Sequence, residues 1–288
     1  MNEIESRFNS YAEAFGLIEI ISLVFYGAIV LETLWDIAIN HRKKGETFAN
    51  FLIEIGNTLL ERTIFGVIFV AGLLFVESFI TWRIPVEWWS WVLAIIVTDF
   101  LYYWEHRWEH EVRVLWAGHG VHHSSPEFNL STSMRLSWVE SSYSWIFFVP
   151  MVVFGFDVVQ ILVSFLAVLI YQTWIHTERI GTLGWLDKVF NTPSIHRVHH
   201  GTNAKYLDKN YGGFFIIWDR LFGTYQAEEE TVIYGVLDPV NSINPVKINF
   251  IEYFKIGVDA ARSRSLSDAF RYIFGRPGWT AKTKKKPS

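Results

Sequence analysis

Cysteine is absent from this 288-residue sequence. Without it, the chain has no disulfide framework and no thiolate metal site. Any metal that the protein binds must therefore be held by nitrogen and oxygen ligands.

Charged residues are also scarce. They make up 19% of the chain, and the formal net charge is −4. A weakly acidic chain of this kind gives no electrostatic case for binding nucleic acid. The first residues, MNEIESRFNSY, lack the basic flank and the small-residue cleavage site of a secretory signal peptide. These absences argue against a nucleic-acid-binding protein and against a cleaved leader.

Apolar residues are abundant: 51% of the sequence is hydrophobic and 17% is aromatic. A helix that crosses the hydrocarbon core of a bilayer needs about 20 mostly apolar residues. Several stretches meet this need, and the last two form a hairpin that either spans or re-enters the membrane. The sequence predicts an all-α integral membrane protein with four to five transmembrane helices, drawn from residues 12–38, 63–82, 86–104, 138–156 and 158–175.

The basic residues predict the orientation. The run HRKK at 41–44 directly follows the first span, which favours a cytoplasmic loop there. Alternation then places residues 177–288 in the cytoplasm as a helical cap. We expect three regions: an N-terminal transmembrane region at 1–95, a catalytic domain at 96–235 that includes the hairpin 138–175, and a C-terminal region with a basic tail at 236–288. The membrane would be the bacterial inner membrane, or the endoplasmic reticulum in a eukaryote.

Nine of the ten histidines lie between residues 106 and 200. On a helix, residues three and four apart share a face, so each motif can direct two imidazoles at one ion. In an HxxHH motif the adjacent pair can diverge and serve two ions. The motifs are HxxxH (His106, His110), HxxHH (His119, His122, His123), a single His176, and a second HxxHH (His196, His199, His200).

The number of rings favours two metal ions. Neutral imidazole binds iron, zinc, copper and nickel, and eight or nine nitrogens exceed what one ion accepts. A zinc hydrolase with three ligands would leave most of these rings unexplained. A proton relay in a metal-binding transporter is a second alternative, but its histidines would be expected within the spans rather than at their ends.

The motifs and the residues around them resemble the fatty acid hydroxylase and sterol desaturase superfamily. The resemblance covers roughly residues 95–235. It is strongest in LWAGHGVHHSSPEFNLSTSMR (115–135), WIHTE (174–178) and NTPSIHRVHHGTNAKYLDKNYGGFFIIWDRLFGTYQAE (191–228).

The resemblance implies a membrane-bound non-haem diiron monooxygenase. One atom of O2 enters a C–H bond of a membrane lipid, and the other leaves as water. The surrounding sequence is most similar to the branch that acts on alkylglycerol ether lipids, in which the product breaks down to an aldehyde and glycerol. Sterol, carotenoid, fatty acyl and aminolipid hydroxylases or desaturases of the same superfamily remain alternatives.

The resemblance also implies the cofactors. Two iron ions are expected, and zinc would fit the same imidazoles in recombinant protein. No Rossmann glycine fingerprint is present, so electrons come from outside the chain. The donor is either tetrahydrobiopterin, as in the ether-lipid branch, or a partner protein. The oligomeric state stays open.

The implied metal ligands are the nine clustered histidines. Around them, Glu105 and Glu109 fall on another face of the helix that carries HxxxH, so they are expected beside the ligands rather than among them. Asp219 and Arg220 are expected to pair locally. Five further residues have second-sphere or water-mediated roles as hypotheses: Gln172, Glu178, Asn129, Asp208 and Asn210.

Overall fold

The computed structural model of the chain describes residues 3–39 and 45–281. Within these ranges the regular structure is helical, and the β pairings are two isolated bridges, Phe190–Phe215 and Gly201–Tyr234. The all-α prediction is confirmed. The α-helices are α1 (Glu3–Ala38), α2 (Glu46–Leu60), α3 (Gly66–Glu77), α4 (Trp88–Glu111), α5 (Arg113–His123), α6 (Ser141–Val153), α7 (Val158–Ile175), α8 (Pro193–His199), α9 (Ile217–Phe222), α10 (Pro245–Ala261) and α11 (Leu266–Phe274).

Three helices in the described residues are long and apolar enough to cross a membrane: Tyr11–Ala38, Glu46–Glu77 and Val158–Ile175. Two of them coincide with the predicted spans 12–38 and 158–175, and the third overlaps the predicted span 63–82. The predicted span 86–104 lies in α4, which is not one of the three, and the shorter α6 lies in 138–156. A total of four to five spans therefore stays a prediction. The HRKK run at 41–44 and the tail from residue 282 lie outside the described residues.

The second span is longer than predicted. We expected it to begin at residue 63, but the helix runs continuously from Glu46, through a π-helical turn at Glu61–Phe65, to Glu77. Its first half carries acidic residues that interrupt the apolar pattern. One of them, Glu54, accepts a hydrogen bond from the hydroxyl of Tyr26 on α1 at 3.0 Å. This contact between two helices satisfies the Glu54 carboxyl group. Hydropathy alone counts the same group as evidence against a membrane span.

The predicted hairpin is present as α6 and α7. Its turn contains Gly155 at a φ of +92°, a conformation that L-residues with a side chain rarely adopt. The side chain of Asp157 then caps α7 by accepting a hydrogen bond from the backbone of Val159 at 2.9 Å. These two residues turn the chain tightly enough for both helices to pack on α3 and α4.

A hydrophobic core joins α3, α4, α6 and α7. It is close-packed: a Cβ added to Gly72 of α3 would come within 2.5 Å of the Trp145 ring of α6. This core holds α4 and α7, whose ends both carry histidines, at a fixed separation. Its buried members are Phe69, Leu73, Ala94, Phe148, Met151, Val152, Phe156, Val158 and Ile161.

A sharp break after α4 brings two histidine motifs together. Val112 has an extended backbone (φ −119°, ψ 117°), and α5 starts at the next residue. The β-branched side chain of valine favours this conformation. The chain therefore folds back, and the HxxHH motif on α5 lies against the HxxxH motif on α4.

Candidate metal centre

All nine histidines of residues 106–200 meet in the interior, and none is more than 8% exposed. They form two groups, and within each group one ring nitrogen per residue lies within 4.8 Å of the others. The first group comes from α4, α5 and α8, whereas the second comes from α5, the end of α7 and α8 with the residue that follows it. Group one is His106, His110, His119, His123 and His199, and group two is His122, His176, His196 and His200.

Each HxxHH motif is divided between the two groups. His119 and His123 belong to group one, and the intervening His122 belongs to group two. In the second motif, His196 and His200 belong to group two, and His199 between them belongs to group one. Neighbouring helical residues point about 100° apart, so this division follows from helix geometry. The groups touch through His123 and His200, whose rings stack with centroids 4.3 Å apart.

The nitrogens have the spacing of ligands around a common ion. In group one, the Nε2 atoms of His106 and His119 are 2.9 Å apart. In group two, the Nε2 atom of His176 is 3.0 Å from that of His122 and 3.0 Å from that of His196. Two imidazole nitrogens bound at about 2.0–2.1 Å to one ion, at an angle near 90–100°, are about 2.8–3.2 Å apart. The donor set fits a metal in each group.

Hydrogen bonds to the outer ring nitrogens set the tautomers. The Nδ1 atoms of His106, His176 and His199 donate to the backbone carbonyls of Tyr211, Gln172 and Lys209 at 2.8, 2.7 and 3.0 Å. A carbonyl only accepts, so in these neutral rings the Nε2 atom presents a lone pair inwards.

The inward nitrogens are arranged to accept a cation. The Nδ1 atom of His119 lies 3.2 Å from a carboxyl oxygen of Glu109, and when Glu109 is ionised, Nδ1 donates to it and the Nε2 lone pair of His119 opposes that of His106. Two lone pairs at that distance repel each other unless a positive ion lies between them. The buried Nε2 atoms of His110 and His199 have no hydrogen-bond partner among the described residues. Bound metal would satisfy all of these nitrogens.

Burial keeps the rings neutral. It lowers the pKa of every one of the nine histidines, and for most of them neighbouring rings lower it further. The pKa falls to about 3 for His176 and to about 4 for His199. The neutral ring is the form that binds a metal, so the centre is prepared for metal at neutral pH.

Two buried glutamates flank the centre on α4. Glu109 accepts a hydrogen bond from the hydroxyl of Tyr143 at 3.0 Å and faces His119 with its other oxygen. Glu105 accepts a hydrogen bond from the hydroxyl of Ser144. Neither belongs to the two histidine groups. This agrees with the prediction that both glutamates fall on a different face of the helix from His106 and His110. Burial, Glu140 and Glu105 raise the pKa of Glu109 well above its usual value. A cation bound by the histidines would favour the ionised form, which orients His119 and raises the basicity of its inner nitrogen.

Replacing Glu109 with glutamine is expected to weaken metal binding by about 10- to 100-fold, because the neutral amide no longer polarises His119. The measurement is the metal content of the purified protein across a series of chelator concentrations. Glu111, on the same helix, pairs with Arg107 at 3.1 Å instead of a histidine, so Glu111→Gln is the matched control. Unchanged metal affinity in the Glu109 variant would contradict this role.

The weaker candidates lie near the centre but outside the two groups. The amide of Gln172 is held by the hydroxyl of Tyr102 and the carbonyl of Val168, each at 3.2 Å. Glu178 is exposed and interacts with Tyr234.

The other three candidates shape loops. The side chain of Asn129 accepts from the backbone of Ser131 at 3.1 Å and begins a 3-10 turn. Asn210 adopts a left-handed conformation (φ 58°), and its amide donates to the carbonyl of Ile195 at 3.0 Å. Asp208 is exposed, also has positive φ, and lines the cavity described below.

The expected pairing of Asp219 with Arg220 is wrong. Asp219 is buried and accepts from the backbones of Tyr211 and Gly212, both at 2.8 Å. Arg220 turns away and donates to the carbonyl of Lys188 at 3.0 Å. Adjacent helical residues do not face each other, which is the physical reason. Asp219 thereby fixes Tyr211, whose carbonyl orients His106.

Two further residues were missed by sequence reasoning. Asp99 on α4 accepts from the backbone of Phe215 at 3.0 Å and from the indole of Trp218 at 2.8 Å. Asn191 donates to the carbonyl of Gly212 at 2.6 Å and lies 3.4 Å from Nδ1 of His196. The one local signal was that Asn191 directly precedes the segment carrying the second HxxHH motif.

A cavity opens onto the histidines. Its volume is about 520 Å³, within the range of small-molecule sites. One wall is formed by histidines of both groups, and the other walls come from α5, α10 and the segment after α11. The lining histidines are His110, His123, His199 and His200.

Comparison with known proteins shows what the histidine region is similar to. Residues 91–224 match the family model described as fatty acid hydroxylase. All nine clustered histidines fall within this matched region. The resemblance noted in the sequence is confirmed.

Several individual proteins are similar to this chain. The chain is 46% identical over 192 residues to alkylglycerol monooxygenase of Homo sapiens, and 44% identical over 191 residues to that of Xenopus tropicalis. Each match takes in 66% of this chain and 43% of the relative, so the chain spans less than half the length of these proteins. A more distant relative is an ornithine lipid hydroxylase of Rhizobium tropici, 28% identical over 142 residues, 46% of this chain and 41% of the relative. No solved structure matches the chain.

Proposed function

We propose that this protein is a membrane-bound lipid monooxygenase that hydroxylates a C–H bond with O2. The observation that carries the proposal is the pair of buried, neutral histidine groups that share a cavity of about 520 Å³, within the region that matches the fatty acid hydroxylase model. The balanced reaction consumes the lipid, O2, two electrons and two protons, and it yields the hydroxylated lipid and water.

The metal in this proposal is iron. All-nitrogen ligation suits iron, although zinc and copper accept imidazole as well. Two iron ions held by the two histidine groups would supply the activation of O2. The chain's own residues exclude water, fix the ring orientations through Tyr211, Gln172 and Lys209, and keep the rings neutral. Electrons come from outside the chain, from a pterin or a partner protein.

We propose an alkylglycerol ether as the substrate. Support comes from the name shared by the relatives of 46% and 44% identity. Hydroxylation of the carbon beside the ether oxygen gives a hemiacetal, which breaks into a fatty aldehyde and glycerol. A second candidate is an aminolipid, because a more distant relative is named as an ornithine lipid hydroxylase.

The positive-inside pattern supports a site that faces the cytoplasm.

The test is metal analysis together with product analysis. Protein is purified under low oxygen and supplied with an alkylglycerol, an ornithine lipid or a sterol, with reduced pterin or reduced ferredoxin as the electron donor. We expect about two iron ions per chain and O2-dependent fatty aldehyde from the alkylglycerol.

The outcomes separate the parts of the proposal. Iron with a hydroxylated ornithine lipid would overturn the ether substrate and keep the monooxygenase. Carefully prepared protein that binds no transition metal and consumes no O2 would overturn the whole proposal and favour a transporter. The double variant His199→Ala/His200→Ala, which loses one ligand from each group, is the negative control.

A further inference from the structure

The last helix of the described chain has an exposed apolar stripe. On α11, Leu266 is 90% exposed, Phe270 is 63% exposed and Phe274 is 49% exposed. These residues are four apart, so they lie on one face of the helix. Large apolar side chains aligned in this way on a surface mark a binding face.

Basic residues concentrate in the same part of the chain. Residues 262–288 contain eight lysines and arginines and one acidic residue, Asp268, whereas the whole chain carries a net charge of −4. Arg262, Arg264 and Arg271 are exposed and lie on or directly before α11. A short helix with an apolar stripe and flanking basic residues is typical of an element that lies on an anionic membrane surface.

The neighbouring helix fixes the level of α11 relative to the membrane. α10 packs on the first turns of the second span, where buried Ile248 joins Ala49 and Ile53. That span is 32 residues long, or about 48 Å at 1.5 Å per residue, whereas the hydrocarbon core is about 30 Å thick. The span therefore extends beyond the core. Its first turns carry Glu46, Asn50 and Glu54, whereas Gly66–Glu77 is almost entirely apolar, so the first turns are the end that leaves the core. α10, which contacts these turns, lies at the level of the headgroups.

The segment that follows α11 forms part of the cavity over the histidines. The backbone of Arg113, at the start of α5, donates to the carbonyl of Gly275 at 2.9 Å. Arg276, Pro277 and Trp279 then line the cavity. The stripe and the cavity wall are thus adjacent parts of one short, attached segment.

We propose that α11 docks on the anionic surface of the membrane, with Leu266, Phe270 and Phe274 inserted at the boundary between headgroups and acyl chains. The bilayer is the partner because the stripe is continuous with a membrane-spanning body and lies among basic residues. Docking brings the wall of the histidine cavity to the lipid surface. The docking does not depend on the proposed function, whereas a role in admitting lipid substrate rests on it.

The absence of native cysteine allows a direct test. Phe270→Cys is labelled with an environment-sensitive fluorophore, and the full-length protein is reconstituted in phosphatidylcholine vesicles with or without phosphatidylserine. The matched control is Ala204→Cys, which is exposed in a polar loop of the cap. Lipids carrying a nitroxide on the acyl chain near the headgroup serve as the quencher.

We expect the fluorescence of the label at position 270 to be quenched at least about twofold. The quenching should be greater with phosphatidylserine. It should be weaker at 1 M salt, where the Debye length is about threefold shorter. The label at position 204 should not be quenched. Leu266→Cys gives a second reading of the stripe if the first variant folds poorly, as judged by circular dichroism and metal content.

Two results would overturn the proposal. One is a label at positions 266 and 270 that stays in water and resembles the control. The other is a label that is shielded from water but is not quenched by the lipid nitroxide, and that becomes exposed when the protein is diluted in lipid. That result would mean that the stripe binds a second copy of the chain. Neither result depends on turnover, so a failure of docking is distinguishable from a failure of the proposed oxygenase activity.

Discussion

Replacing His199 with alanine is expected to weaken binding of one metal ion, and replacing the adjacent His200 is expected to weaken binding of the other. The reason is that the two neighbours belong to different groups of nitrogens. The loss of a direct ligand exceeds the loss of a second-sphere partner, which alone costs 10- to 100-fold in metal affinity. Each single variant should therefore retain about one ion per chain after treatment with a chelator, and the double variant should retain none.

The measurement is metal content after stepwise chelation, with O2-dependent turnover measured beside it. Both single variants should lose at least about 100-fold in turnover, because a two-ion reaction needs both sites. His41 is the one histidine outside residues 106–200, so His41→Ala is the matched control. If the two single variants lost metal identically, with no ion retained by either, a single shared ion would be the correct description.

The histidine arrangement was largely predictable because its geometry is local. The i, i+4 spacing joins His106 to His110, His119 to His123 and His196 to His200, and the structure places each of these pairs in one group. The sequence also predicted that adjacent histidines diverge. It did not predict which group each motif would serve, because that depends on how α8 lies against α5. The metal role of these residues stays a prediction.

The supporting residues were not predictable, because their partners are distant in the sequence. Asp99 binds the backbone near residue 215, more than a hundred positions away. Asp219 holds Tyr211, which in turn holds His106. An isolated acidic residue carries no periodic signal, so local reasoning paired Asp219 with its neighbour. Only the fold shows that these carboxylates organise the loop that orients a histidine.

Two of the five predicted membrane helices agree with the structure over nearly their whole length. The spans at 12–38 and 158–175 agree with helices Tyr11–Ala38 and Val158–Ile175. The second span was cut short because its first half contains Glu54, which hydropathy penalises and the hydrogen bond from Tyr26 compensates. Hydropathy measures each segment against lipid alone, so it misses polar groups that neighbouring helices satisfy.

Acid is expected to destabilise the metal-free protein steeply below pH 6.5. Each histidine has a folded pKa below its unfolded value of about 6.5, so its contribution to stability is complete above pH 6.5 and is lost as the pH falls towards the folded pKa. At one pH unit below the unfolded pKa, each ring costs about 1.4 kcal/mol. Because nine buried rings titrate in the unfolded chain, their combined effect removes a large part of the stability of a typical domain.

The metal-free histidine domain should therefore unfold between about pH 6.5 and pH 5, with uptake of several protons. Metal binds the neutral rings of the folded state, so the metal-loaded protein should stay folded to a lower pH. Tryptophan fluorescence against pH, with and without metal, measures the shift. His200→Gln removes one titrating ring and should make the transition of the metal-free protein less steep by about one proton. A metal-free protein that kept constant stability from pH 7 to pH 5 would show that the rings are solvated, and it would contradict the buried centre.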